Sequence, residues 1–128
     1  MAMSDYLEDE LVNHVLRNTA FTSPTNVYVA LFTTDPTDAD TGTEVATASY
    51  AREVVTDFSA PSDGATSNGS EIAFTQATES WGTISHIGIY DANTTGNLLF
   101  HGSLSVSKAV DTNDTFKIAL GDLDITLS

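Results

Sequence analysis

Apolar positions near the start of the chain recur with a helical period. Leu7, Leu11 and Val15 stand four apart, with Val12 and Leu16 beside them, and form one stripe. Ser4 is a suitable N-cap, Asp5, Glu8 and Asp9 suit the positive end of a helix dipole, and Arg17 suits its other end. The pattern predicts a helix from Ser4 to about Asn18. Its stripe has two possible partners, the chain's own sheet or a neighbouring subunit, because a lone helix beside a β-domain has few internal contacts.

After Pro24 the period changes to that of strands. Val27 to Thr33 is β-branched and aromatic, apolar on both faces, and reads as a central strand. Strands are also predicted at Tyr50–Phe58, Glu71–Thr75 (Ile72 and Phe74 on one face), Thr83–Asp91, Leu98–Val106, Thr115–Leu120 and Leu123–Leu127. In Thr83–Asp91, Ile87 and Ile89 share a face opposite His86, Gly88 and Tyr90. Polar stretches separate the strands: Thr34–Thr43 with Pro36 and Gly42, Ala60–Ser70, the turn Ala92–Asn97, and Gly121-Asp122. Many short strands at close spacing predict a mainly β fold, an antiparallel β-sandwich with a short N-terminal α-helix. Residues 1–20 form the helical part, an expected assembly element, and residues 21–128 the sandwich domain.

Charge changes the picture. Eighteen acidic residues face four basic ones, Arg17, Arg52, Lys108 and Lys117, giving a net charge of −14 on 128 residues. Such self-repulsion opposes a compact state. At about 0.1 M salt the screening length is roughly 10 Å, and at about 1 M roughly 3 Å, so concentrated salt removes most of that cost. The composition is that of a protein adapted to high salinity. Scattered cations give no footprint for nucleic acid or for an anionic membrane surface, and no apolar run is long enough to span a bilayer. The opening MAMSDYLEDE lacks a cationic segment followed by an apolar one, so no secretory signal is expected.

Candidate chemistry is sparse. The chain has no cysteine, so no disulfide, thiolate nucleophile or cysteine zinc site is available. His86 and His101 fall on neighbouring predicted strands and are candidates for a metal pair, yet no HxH or HExxH spacing supports them. Asp38, Asp40 and Glu44 place three carboxylates around Gly42, an oxygen-rich loop of the kind that holds Ca²⁺, without the spacing of an EF-hand. No G-x-S-x-G elbow, P-loop or dinucleotide fingerprint occurs. No cofactor and no enzymatic activity are expected. Asn68, Asn93 and Asn113 each open an N-x-S/T glycosylation pattern in a predicted turn. Trp81 is expected to anchor either the core or an interface.

Several segments in order resemble one family. They are SDYLEDELVNHVL, VYVALFTTDPTDADTGTEV, YAREVV, WGTISHIGIYDANTTGNLLFHGSL and, after KAV, NDTFKIALGDLDITLS. Over essentially the whole chain they resemble the small tail-fibre or minor tail proteins of tailed viruses. The resemblance implies a β-rich virion structural protein without catalytic residues, and carries over no site. The excess of Asp and Glu departs from bacterial-virus relatives and points to a virus of a halophilic archaeon. The expected role is an external subunit, in a tail fibre or a capsid turret, that assembles with copies of itself and other virion proteins and aids host attachment. The expected interface is the stripe Leu7, Leu11 and Val15 with strand edges. The alternative is a carbohydrate-binding adhesion module using Tyr50, Trp81, Tyr90 or Phe100.

Overall fold

The computed structural model describes residues 1–127. In chain order the elements are β1 (Ala2–Met3), α1 (Asp5–Leu16), β2 (Val27–Phe32), β3 (Glu53–Val55), β4 (Ala65–Ser67), β5 (Ile72–Ala73), β6 (Gly82–Tyr90), β7 (Leu98–Val110), β8 (Lys117–Ile118) and β9 (Asp124–Thr126). The main sheet has the order β1-β7-β6-β2-β3, and the described strand pairs are antiparallel. Two ribbons, β4-β9 and β5-β8, supply the second layer. The protein is a mainly β sandwich with an N-terminal helix, as its periodicity predicts.

β2 is central because its side chains have an apolar partner on each face. Val29 and Leu31 point into the main core with Ile84, Ile87 and Ile89, against Ile72, Phe74, Phe116, Ile118, Leu123 and Ile125 of the second layer. Ala30 and Phe32 point outward and form a smaller cluster with Tyr90 and Leu98. The alternation read for β6 holds, with Ile87 and Ile89 inward and Tyr90 outward. Gly88 is required on that outer face. A Cβ there would come within 2.8 Å of the Leu98 side chain and 3.0 Å of Phe32.

Trp81 is a core residue. It lies edge-on to Tyr50 at 5.4 Å between ring centroids and donates its indole N–H to Ser49 Oγ at 2.9 Å. Asn68 joins the two ribbons. It is 1% exposed, donates to the carbonyls of Ser70 (2.8 Å) and Ala119 (3.0 Å), and accepts from Leu123 N–H (2.9 Å).

Several boundaries differ from the sequence pattern, with β5, β8 and β9 shorter than predicted and β1 added; three further differences are the larger ones. The strand expected over Tyr50–Phe58 narrows to β3, because Tyr50 and Arg52 turn their side chains to Glu44. β4 lies in a stretch that reads only as turn. There Ser62 and Ala65 exchange both backbone bonds around Asp63-Gly64, whose φ values of 51° and 77° fit a tight hairpin that this dipeptide favours. β7 runs on to Val110 through a bulge: Ile84 faces Lys108 but His86 faces Ser103, so residues 104–107 bow out opposite Ser85.

Candidate functional site

α1 forms where its caps dictate. Ser4 is extended, and its Oγ accepts from Leu7 N–H at 3.1 Å while donating to the Leu98 carbonyl at 2.5 Å. Ser4 N–H reaches the Leu99 carbonyl at 2.9 Å and Asp5 N–H the Asp38 carbonyl at 3.0 Å. The helix start is therefore pinned to β7 and the acidic loop. Asn18, at φ 55°, ends the helix in the left-handed region.

The predicted stripe divides along the helix axis. Leu7 is 6% exposed and packs within its own chain. Leu11 is half-buried. Val15 is 71% exposed, and so are Val12 (51%) and Leu16 (77%) beside it. Arg17 follows, with its guanidinium on Asn13 Oδ1 at 3.3 Å and no carboxylate partner among the described residues.

The three loop carboxylates do not converge on an ion. Asp38 meets His101 Nε2 at 2.7 Å, Asp40 accepts from Tyr90 Oη at 2.5 Å, and Glu44 holds Arg52. Each serves a different element, so the loop is a clasp between distant segments of the chain. His86 and His101 line one groove of about 900 Å³, but His86 Nδ1 is engaged by Ser85 Oγ at 2.8 Å. No three His, Asp or Glu side chains converge as metal ligands among the described residues.

Arg52 is the centre of the clasp. Its Nε and Nη2 bind Glu44 at 2.9 and 2.8 Å, and Nη1 donates to the carbonyls of Ala92 (2.9 Å) and Thr95 (2.7 Å). The guanidinium also lies 3.7 Å from the Tyr90 ring centroid. Tyr50 donates to Glu44 at 2.7 Å and accepts from Leu31 N–H at 3.0 Å. Burial, with the hydrogen bonds to Glu44 and Asp40, pushes the Tyr50 and Tyr90 phenols far above their ordinary range. No motif marks this network in the sequence; its one signal is an arginine in a chain with three other cations.

Of the three glycosylation patterns, the one at Asn68 is closed. Its amide is buried and both its hydrogens are in use, so no glycan can reach it. Asn93 and Asn113 are exposed. Of the aromatic platform residues, Trp81 and Tyr90 are buried, and Tyr50 and Phe100 pack against the core.

Two further surfaces complete the inventory. Lys108 and Lys117, the only lysines, line the groove of about 900 Å³ beside β7. At one mouth of the sandwich a cleft of about 410 Å³ opens between Val27 and Phe100 of the sheet and Ile125 and Leu127 of the second layer.

The fold is that of a mainly β protein. Its family is clear from the whole chain: the protein belongs to the family of Podophage GP4 fiber I protein gp80, whose family model matches residues 2–126. It is a phage fibre-type structural protein and a virion component. No curated protein matches the chain.

Proposed function

We propose that the protein is an external virion subunit of a tailed virus of saline hosts, and that it self-associates into a closed symmetric oligomer that aids attachment. The family match over residues 2–126 carries the reading. The charge of −14 supports a saline setting, since copies of so acidic a chain approach one another only where salt screens them. The surface proposed for assembly is the open end of the helical stripe, Leu11 and Val15, with strand edges beside it; Leu7 supports the helix from beneath. A tail fibre and a capsid turret both satisfy these terms. Antibody labelling of purified particles tests the placement: label on the tail means fibre, label on the head means turret, and label on neither defeats the external reading. Sedimentation in concentrated KCl tests self-association. A glycan array probed with the purified protein tests the carbohydrate-binding alternative, for which no exposed aromatic platform among the described residues speaks.

A further inference from the structure

Among the described residues, apolar side chains lie open at two places that could fit one another. One is the end of α1, where Val12, Val15 and Leu16 are more than half exposed. The other is the cleft of about 410 Å³, lined by Val27, Phe58, Phe100, Ile125 and Leu127 among others. No residue of α1 lines that cleft in its own chain. Contiguous exposed apolar surface of this kind marks a contact site.

Charge selects the occupant. Copies with a net charge of −14 repel wherever two acidic faces meet. From Leu11 to Thr34 the chain carries no Asp or Glu, so the last turn of α1 and the residues after it bring no carboxylate of their own. Arg17, free of any described carboxylate, sits at its tip. The cleft has the complementary sign at its lip. Pro61, Gly64 and Ala65 line it, and Asp63 stands exposed at the tip of the same hairpin. Size agrees as well: an apolar cavity of about 150 Å³ holds a benzene ring, so the cleft has room for two aliphatic side chains.

We propose that the Val15-Leu16 end of α1 in one copy seats in the Val27–Leu127 cleft of the next, with Arg17 against Asp63. Knob and cleft are different patches, so the contact is head-to-tail. Repeated, it gives a ring where the rotation closes and a filament where it does not. The inference rests on the self-assembly reading above and names its interface.

Two variants of the full chain test it in concentrated KCl. Leu16→Asp disables the knob and leaves the cleft, whereas Ala65→Phe fills the cleft and leaves the knob. Circular dichroism confirms that each is folded. Sedimentation velocity is expected to show wild-type assemblies and each variant weakened by at least about tenfold, the worth of one buried aliphatic side chain. An equal mixture of the two is expected to form a one-to-one dimer and go no further, since it retains a single good knob and a single good cleft. Arg17→Asp is expected to weaken assembly several-fold, less so as salt rises. A mixture that stays monomeric, or either variant assembling like the wild type, overturns the contact. Loss of assembly in Leu16→Asp alone also overturns it, because the knob then docks elsewhere. A wild type that is monomeric at every concentration defeats the self-assembly reading itself, which separates the two failures.

Discussion

Removing the Arg52 guanidinium measures how firmly the acidic loop is clasped to the sheet. The Arg52 side chain is 7% exposed and that of Glu44 25%. Arg52→Ala strips Glu44 of both guanidinium bonds, leaving its carboxylate with only the Tyr50 hydroxyl, and frees the carbonyls of Ala92 and Thr95. Breaking a fully buried pair from one side costs about 3–5 kcal/mol. Water reaches a quarter of Glu44 and the exposed hairpin carbonyl, so the expected loss is about 2–4 kcal/mol. Against a typical total of about 5–15 kcal/mol, that is a large share. Arg52→Lys keeps the charge but not the fork, and is expected to lose about 1–2 kcal/mol. Arg52→Met combined with Glu44→Gln is expected to be milder than Arg52→Ala alone, since no charge is then stranded. Urea denaturation followed by Trp81 fluorescence reads these values in dilute and in concentrated KCl. A buried clasp is screened little, so the loss survives salt. A loss below about 1 kcal/mol, or one that salt abolishes, would refute the clasp and leave an ordinary surface pair.

Asn68→Asp replaces two buried donors with acceptors facing the carbonyls of Ser70 and Ala119, and is expected to cost at least about 3 kcal/mol by urea midpoint. In protein from a glycosylating host, peptide mapping is expected to find Asn68 bare. Leu7→Asp is expected to cost at least about 2 kcal/mol, whereas Val15→Asp leaves the melting temperature of the isolated protomer nearly unchanged. In alkali, the unfolded chain releases its tyrosine protons near about pH 10 while folded Tyr50 and Tyr90 retain theirs. Their stabilisation is therefore complete below pH ~10 and falls as pH rises beyond it; Tyr50→Phe should flatten that decline in a pH series of melts. KCl is expected to raise the melting temperature of the wild type more than that of a charge-neutralised variant in the same salt, because screening relieves repulsion that only the acidic chain has.

The elements with a strong period were legible in the residues themselves. α1, β2 and β6 each carry enough apolar positions for one spacing to dominate, and the turn Ala92–Asn97 closes as its residues imply, with Asp91 N–H on the Asn97 carbonyl. β1 is too short to show any period, and its pairing with Phe100 and His101 depends on the fold. β4 was hidden because residues suited to a turn also flank the strands that the turn joins. The roles of the loop carboxylates were not legible, because their partners, His101, Tyr90 and Arg52, come from distant segments. Burial of Asn68 was invisible for the same reason, since Ala119 and Leu123 lie far along the chain.

The placement of the two lysines has a practical consequence. Lys108 and Lys117 are the two lysines of the sequence, and both line the same groove. An amine-reactive dye, bead or sensor chip therefore grips this molecule from one side. Conjugation that scrambles the orientation of ordinary proteins would hold this one by that groove.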